Sequence, residues 1–210
     1  MSHMLRVCLT GGIATGKSEV LEMFRRRGIP CLDADSIAHG VTAAGTDATA
    51  AIAGRFGAGI LDGNGAVDRE KLGPIVFADA SARRDLEAIV HPGVYRAIRS
   101  GLRGFELTGE YSFAVVDVPL LFETGHEKDF DRIIVTVCRR ETQMARLMDR
   151  GMSRQAASER LAAQWTSEDK AALADLVIRT DGSLEDTDRQ VGEAFTVLQE
   201  ATERQRSTPS

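Results

Sequence analysis

The chain has 210 residues, of which 43% are hydrophobic and 27% charged, proportions typical of a folded domain with a buried core. A formal net charge of -5 argues against nucleic-acid binding through bulk charge, and no apolar run reaches membrane-spanning length. Cys8, Cys31 and Cys138 lie far apart in apolar runs, which argues against a disulfide framework or a zinc site and favours a cytoplasmic protein.

The first half of the chain alternates between strand and helix patterns. In chain order, the predicted elements are a strand at 5–9, a helix at 16–27, a strand at 29–33, helical pieces within 34–57 and a helix at 68–77. We expect a break near Gly45 and a loop at 56–68, because glycine and turn-forming residues cluster there. The opening Met-Ser-His-Met, residues 1–4, is interpreted as a cloning remnant.

The second half continues the alternation. Its predicted elements are a helix from Ser81, a second helix to about 102, strands at 111–122, 131–138 and 175–179, two or three helices within 139–173 and a helix at 184–200. Pro92 is expected to interrupt the helical pattern and to leave His91 at a junction. Strands alternating with helices predict an α/β fold with a parallel sheet between two helical layers.

A glycine loop follows the first strand. In LTGGIATGKSEV, residues 9–20, Gly11 is followed by four residues and then by Gly16, Lys17 and Ser18. Between a strand and a helix, this spacing indicates a phosphate-binding loop, whose backbone N–H groups and helix N-terminus surround an anion. We expect Lys17 to reach the outer phosphates and Ser18 to hold Mg²⁺.

Two positions depart from the usual loop pattern. Ala14 stands where many such loops have glycine, and Glu19 brings a negative charge near a phosphate site. Helical geometry turns Glu19 about 100° from Ser18, so its carboxylate can face solvent. The predicted nucleotide-binding residues of the loop are Gly11, Gly12, Ile13, Ala14, Thr15, Gly16, Lys17, Ser18 and Glu19.

Acidic residues occur where predicted strands end. Asp117 ends a fully apolar strand, where an uncompensated charge is costly, and an acid there is the usual partner of Mg²⁺. Asp33 and Asp35 follow the second strand, where they are candidates for a general base or, equally, for a helix cap and a first-turn dipole residue. Glu123 is either a supporting group or a solvated helix start.

An arginine-rich segment covers residues 139–160. Arg146 and Arg150 are four residues apart, so one helix face presents both. The segment is either a solvated helix of mixed charge or, as we favour, a lid that closes over ATP and brings an arginine to the transferring phosphoryl group.

Seven motifs occur in a fixed order along the chain: CLTGGIATGKS (8–18), DAD (33–35), VDREKLGPIVF (67–77), LEAIVHPGV (86–94), VVDVPLLFE (115–123), ETQMARLMDR (141–150) and AAQ (162–164). The set closely resembles the dephospho-coenzyme A kinase family over nearly the whole of 5–185. The glycine loop alone matches many families, whereas the combination with DAD, HP and DVPLLFE is much more specific.

The resemblance implies transfer of the γ-phosphoryl group of ATP to the ribose 3′-hydroxyl of dephospho-CoA, the last step of coenzyme A synthesis, with Mg²⁺. It also implies a P-loop kinase fold with a five-stranded parallel sheet, in which the strand carrying Asp117 lies between the strand before the loop and the strand ending at Asp33. The expected organisation is a single domain at 5–205, with core segments at 5–33, 111–138 and 174–203, a helical acceptor-binding region at 34–110 and a helical lid at 139–173.

The resemblance also assigns roles to residues. Asp33 is the expected base for the 3′-hydroxyl, Lys17 and Arg146 are the other catalytic residues, and Arg150 is a second lid candidate that binds ATP. The expected acceptor-binding residues are Asp35, Arg69, His91, Pro92, Asp117 and Leu120. After the fifth strand, Thr180 replaces an asparagine common in the family, so it should bind near the adenine of ATP without the paired contact of an amide.

Two alternatives remain open at the level of sequence. One is a nucleoside or nucleotide kinase with another acceptor, and the other is a nucleotide switch, although the chain has no Asn-Lys-x-Asp guanine-reading string. The expected partners are ATP and dephospho-CoA, without nucleic acid or membrane, in a monomer or small homo-oligomer.

Overall fold

A five-stranded parallel sheet forms the centre of the computed structural model, which describes residues 4–207. Its strands are β1 (Leu5–Gly11), β2 (Cys31–Asp33), β3 (Phe113–Asp117), β4 (Arg132–Val137) and β5 (Leu176–Arg179). Across the sheet the order is β2-β3-β1-β4-β5, and β1 pairs in parallel with both β3 and β4. The strand that ends at Asp117 therefore lies between β1 and the strand that ends at Asp33, as the resemblance implied.

Helices connect the strands. They are α1 (Lys17–Arg26), α2 (Ala34–Val41), α3 (Asp47–Phe56), α4 (Arg69–Ala78), α5 (Ala80–Thr108), α6 (Arg140–Asp149), α7 (Arg154–Ala162), α8 (Ser167–Ala171) and α9 (Leu184–Ser207). Short 3₁₀ turns occur at Ala58–Ile60 and Glu127–Asp129. The predictions of two helical pieces within 34–57 and of two or three helices within 139–173 are confirmed.

The main core lies between the sheet and the pair α1 and α9. Leu5, Val7 and Leu9 alternate along β1, so their side chains share one face of the sheet, where all three are fully buried. Phe24 of α1 packs edge-on against Phe113 of β3, with ring centroids 6.3 Å apart. Burial of each such side chain contributes about 1.5–3 kcal/mol to folding, which fixes α1 and hence the loop before it.

The chain divides into two compact units. One contains the described residues up to Leu32 and from Leu102 onward, and the other is Asp33–Gly101. The second unit has its own small core, in which Ile52, Ile60 and Leu72 are buried. Its extent is close to the 34–110 segment for which the sequence suggests acceptor binding, and that role, like the proposed lid and the single-domain division, remains a prediction.

The expected helix break at Pro92 is wrong. A single helix, α5, continues through Pro92 from Ala80 to Thr108. Buried Val94, Tyr95 and Ile98 follow the proline on the apolar side of the helix, and packing of this kind offsets the loss of one backbone hydrogen bond. The junction predicted for His91 is therefore the interior of a helix.

Other boundaries also differ from the predictions. The strand expected at 111–122 ends at Asp117, because Pro119 has no N–H to donate and the chain then turns. The last helix extends to Ser207 instead of 200. Met4, which the sequence analysis assigns to the cloning remnant, is 3% exposed and belongs to the core, while residues 1–3 lie outside the described part of the chain.

The three cysteines are free thiols, as expected. Cys8 and Cys138 are buried, and Cys31 is half-buried. Burial raises the pKa of Cys31 to about 12, so this thiol is almost entirely protonated near neutral pH. No helix within residues 4–207 combines the length and apolar character needed to cross a membrane.

Candidate functional site

The glycine loop between β1 and α1 has a backbone that only small residues fit. Gly16, directly before α1, has φ of 87°, and Ala14 has φ of 60°, in the left-handed region that side chains disfavour. A Cβ at Gly11 would lie 2.6 Å from the carbonyl oxygen of Thr136 on β4. Ala14, which departs from the usual glycine, therefore occupies a strained position.

Two distant glutamines hold the tip of the loop. The N–H of Ile13 donates to Oε1 of Gln164 at 2.9 Å, and Nε2 of Gln143 donates to the carbonyl oxygen of Ile13 at 2.7 Å. Within the loop, the hydroxyl of Thr15 donates to the carbonyl oxygen of Gly12 at 2.8 Å. These bonds satisfy polar groups of the tight turn and hold the loop in this conformation.

Arg146 and Thr180 brace the other side of the loop. The guanidinium of Arg146 donates to the carbonyl oxygen of Ala14 at 3.1 Å, and to the hydroxyl and carbonyl oxygens of Thr180 at 3.1 and 2.6 Å. The Thr180 hydroxyl in turn donates to the carbonyl oxygen of Thr15 at 2.8 Å. Thr180, which is 4% exposed, therefore bonds directly to the loop.

The first turn of α1 presents the charged end of the loop. No side chain caps this helix at Gly16, so its first N–H groups can bind an anion. Nζ of Lys17 lies 3.4 Å from the carbonyl oxygen of Gly11. Ser18 is exposed, and the exposed Glu19 pairs with Arg26 at 3.3 Å, which turns its carboxylate along the helix.

Asp117 lies at the buried end of β3, beside the strand that leads into the loop. It is opposite Leu9 of β1 and is 6% exposed. Burial and the negative charge of Asp117 raise the pKa of the Cys8 thiol well above its usual value, while the positive charge of Lys17 opposes them. Asp117 and Lys17 thus act with opposite sign on the pKa of one buried thiol.

Oxygen atoms of the type that binds Mg²⁺ occur on the first turn of α1 and at the end of β3. The Ser18 hydroxyl and the Asp117 carboxylate supply oxygen ligands, the type that Mg²⁺ prefers. Residues 4–207 contain no cluster of three or more His, Cys, Asp or Glu able to hold a metal by themselves. An ion here would complete its shell with water and phosphate oxygens, as Mg²⁺ usually does.

Asp33 ends β2 and caps α2. Its Oδ1 accepts the backbone N–H groups of Asp35 and Ser36 at 2.9 and 3.0 Å, which is the helix-cap alternative considered from the sequence. Asp35 is exposed in the first turn of α2. Capping uses one carboxylate oxygen of Asp33, so the same side chain retains a second oxygen for other chemistry.

A cavity of about 260 Å³ lies in the second unit. Its wall is mainly apolar, with Ile52, Leu72 and Val90 among the lining residues, and Arg69, Glu87 and His91 as its charged or titratable members. The His91 ring packs edge-on against Tyr95, with centroids 6.4 Å apart. The structure thus brings together Arg69 and His91, two of the predicted acceptor-binding residues.

The remaining predicted residues have less distinctive surroundings. Pro92 is exposed on α5, and Leu120 is half-buried in the turn after β3. Arg150 is exposed at the end of α6, where its N–H donates to the carbonyl oxygen of Arg146 at 3.3 Å. The roles predicted for these residues remain predictions.

Comparison with known proteins gives one family. The sequence model of the dephospho-CoA kinase family matches residues 5–186. This chain belongs to the dephospho-CoA kinase family. A protein named dephospho-CoA kinase from Geobacillus kaustophilus is 42% identical over 188 residues, covering 89% of this chain and 93% of that protein, and one from Streptomyces avermitilis is 45% identical over 199 residues, covering 93% and 94%.

Solved structures agree with this dephospho-CoA kinase assignment. A crystal structure of a Thermus thermophilus protein superposes with a TM-score of 0.77 at 32% identity, covering 93% of this chain and 98% of that one. A dephospho-CoA kinase from Campylobacter jejuni gives a TM-score of 0.71 at 28% identity with the same coverages. The P-loop kinase fold expected from the sequence is thereby confirmed.

In this member of the dephospho-CoA kinase family, the sequence reading missed a buried ion pair. Nζ of Lys170 on α8 lies 2.8 Å from Oε1 of Glu123, with side-chain exposures of 0% and 17%. Lys170 also donates to the carbonyl oxygen of Pro119 at 3.3 Å. One signal was available, because the chain has only four lysines and Lys170 lies in the helical stretch between the AAQ motif and the fifth strand.

Proposed function

We propose that this chain transfers the γ-phosphoryl group of ATP to the ribose 3′-hydroxyl of dephospho-CoA, giving coenzyme A and ADP. The observation that carries the proposal is the braced glycine loop with Lys17 at the start of α1, in a chain of the dephospho-CoA kinase family. A loop held in shape by bonds to the protein's own side chains loses little entropy when an anion binds.

The donor phosphates bind at the loop in this proposal. The N–H groups around Gly16 and the positive end of α1 surround the β-phosphate, and the ammonium group of Lys17 neutralises charge on the β and γ oxygens. The Arg146 guanidinium, which contacts Ala14, adds positive charge beside the loop. Ser18 and Asp117 would hold Mg²⁺, which supplies charge neutralisation at the phosphates when bound.

The acceptor hydroxyl is activated by Asp33 in this proposal. The carboxylate takes the hydroxyl proton while the ribose oxygen forms a bond to the γ-phosphorus and the bond from phosphorus to the β,γ-bridging oxygen breaks, releasing ADP. The bonds from Asp35 and Ser36 to Oδ1 keep the carboxylate in one orientation. Little other covalent chemistry is needed, because positioning and charge neutralisation supply most of the rate enhancement.

The second unit supplies a cavity for the acceptor in this proposal. Arg69 lines a mainly apolar cavity and offers a cation to a phosphate oxygen of the acceptor, and His91 lines the same cavity. Asp35, Pro92 and Leu120 complete the proposed acceptor-binding set. The lid role of 139–173 with Arg150, a cytoplasmic location, and a monomer or small homo-oligomer remain predictions.

The direct test is incubation of the protein with ATP, Mg²⁺ and dephospho-CoA, followed by mass analysis of the acceptor. We expect the acceptor to gain one phosphate and an equal amount of ADP to form. A panel of nucleosides and nucleotides, assayed in parallel for ADP release, serves as the specificity control. Faster turnover of any member of that panel than of dephospho-CoA would contradict the proposed acceptor.

A further inference from the structure

An aromatic pair lies beside the glycine loop. The rings of Trp165 and Phe122 are stacked, with centroids 6.1 Å apart and an interplanar angle of 9°. The rings are parallel but offset, and Trp165 remains 47% exposed, so much of the indole is open to solvent. Leaving a large aromatic surface in water forgoes stabilisation that burial would give. We call Trp165 and Phe122 the aromatic shelf.

The shelf is held in place by buried polar groups. Oε1 of Glu123, next to Phe122, accepts the backbone N–H of Trp165 at 3.3 Å and the ammonium of Lys170 at 2.8 Å. Because Lys170 is fully buried, this ion pair has little freedom to rearrange. The two aromatic residues thus come from segments more than forty positions apart in the sequence, but are joined at a single carboxylate oxygen.

The shelf is also connected to the glycine loop through a neighbouring residue. Gln164, the neighbour of Trp165, accepts the N–H of Ile13 at the tip of the glycine loop. A displacement of Trp165 would therefore disturb the loop, and the loop in turn fixes the shelf. An aromatic surface held in this way can position a flat ligand ring relative to the phosphates.

The position of the shelf along the sheet indicates which substrate it meets. Phe122 and Glu123 follow β3, which lies on the opposite side of β1 from β4 and β5. Thr180, expected near the adenine of ATP, follows β5, so the base of the donor belongs to that opposite side. On the side away from β1, the neighbour of β3 is β2, which ends at the proposed base Asp33.

We infer that the aromatic shelf stacks on the adenine ring of the acceptor, dephospho-CoA. This inference rests on the proposed function, because the reacting 3′-hydroxyl belongs to the ribose that carries this adenine. Stacking the base would fix the sugar within a short distance of the γ-phosphate, which is what transfer to one particular hydroxyl requires. Stacking on an aromatic side chain is strong enough to change the affinity of a base by about tenfold or more.

The first test uses fluorescence, since Trp165 is the one tryptophan of the chain. Titration of the wild-type protein with dephospho-CoA should quench its emission, whereas 4′-phosphopantetheine, which lacks the adenosine, should not. Titration with MgATP should change the emission much less than dephospho-CoA does. Quenching by MgATP and not by dephospho-CoA would assign the shelf to the donor and overturn the inference.

The second test separates stacking from folding. Trp165→Leu should raise both the Kd and the KM for dephospho-CoA by about tenfold or more, with the KM for ATP within about twofold of wild type. Trp165→Phe, which keeps an aromatic ring, should restore most of the affinity. Leu184→Ala, at an apolar residue that is 64% exposed on α9, is the control and should change neither constant.

The outcomes distinguish this inference from the proposed function. Unchanged acceptor affinity in Trp165→Leu, in a wild-type background that phosphorylates dephospho-CoA, overturns the shelf and leaves the function intact. Quenching by dephospho-CoA with no phosphoryl transfer overturns the function and supports the shelf. Absence of any dephospho-CoA binding overturns both.

Discussion

The carboxylate of Asp33 caps a helix and is also the proposed general base. Its Oδ1 caps α2 by accepting two backbone N–H groups. An alanine substitution would remove the cap and the base together, so its effect on activity could not be assigned to either. Asparagine is an equally good cap but cannot take a proton at neutral pH. Asp33→Asn should therefore lower kcat by about a hundredfold or more, while ATP binding and melting temperature stay near those of wild type.

Asp68→Asn is a matched control for that prediction. Asp68 caps α4 in the same manner, with Oδ1 accepting the N–H groups of Glu70 and Lys71 at 3.0 and 3.2 Å. Steady-state kinetics with calorimetric ATP binding would make the comparison, and Asp68→Asn should retain full turnover. Near-normal turnover of Asp33→Asn would refute its assignment as the base.

Roles that have a local sequence signature could be predicted, whereas roles that depend on contacts between distant segments could not. Gly11, Gly16 and Lys17 were identified because the spacing of the loop is itself the signal. Gln143 and Gln164 belong to the quoted motifs ETQMARLMDR and AAQ, but their bonds to Ile13, more than a hundred residues away, have no local signature.

At the scale of elements, α5 shows where a reliable local rule fails. Proline disfavours a helix interior, yet α5 runs through Pro92 because residues on both sides pack into a core. Sequence spacing revealed the apolar face, but it did not reveal that packing would override the proline. The same limit applies to β3, whose apolar run suggested a strand to residue 122 although the strand ends at Asp117.

Pro92→Ala should therefore stabilise the protein. The substitution removes a proline from a helix interior and restores an N–H that can donate to the carbonyl of Ala88. The free energy of unfolding should therefore rise, by at most about 3 kcal/mol. If Pro92 shapes the acceptor site as proposed, the KM for dephospho-CoA should rise although the protein is more stable. Urea unfolding and steady-state kinetics would measure the two effects.

Gly104→Ala is the control for a merely stiffer helix. Gly104 lies on α5, and a Cβ there meets no atom within 4 Å, so alanine should add about 1 kcal/mol of stability without changing any KM. A loss of stability in Pro92→Ala would contradict the account of α5.

The pair Lys170 and Glu123 joins α8 to the turn after β3. Removing one partner leaves a buried charge without its counter-ion, so Lys170→Met alone should cost about 3–5 kcal/mol of unfolding free energy. The double variant Glu123→Leu with Lys170→Met removes both charges and should recover most of that loss. Denaturant unfolding of the single and double variants completes the cycle.

The exposed pair Arg55 and Asp85, with N···O of 2.7 Å, is the matched comparison. Because both side chains are well solvated, the coupling energy in its cycle should not exceed about 1 kcal/mol. Equal coupling in the two pairs would mean that the burial of Lys170 has no energetic consequence.

At the scale of the whole molecule, the order of strands followed from the motif set more surely than their lengths. The resemblance placed β3 between β1 and β2, and the sheet has that order. Strand order is a property shared by a fold, whereas strand ends depend on single residues such as Pro119. The two compact units, divided at Asp33 and Gly101, were not marked by any linker composition.

The glycine loop links ligand binding to the stability of the whole first unit. It joins β1 to α1, and side chains from α6 and from the segments after α7 and β5 bond to it. An anion that binds there therefore stabilises elements from across the chain.

MgATP at a hundred times its Kd should add about 2.7 kcal/mol to the free energy of unfolding, which raises the melting temperature by about 5–10 °C in a protein of this size. Lys17→Ala should lose most of this shift, because the ammonium group neutralises the triphosphate. Lys128→Ala, at an exposed lysine in a 3₁₀ turn, should keep it in full. Differential scanning calorimetry with and without MgATP makes the comparison, and an undiminished shift in Lys17→Ala would show that the triphosphate binds without this lysine.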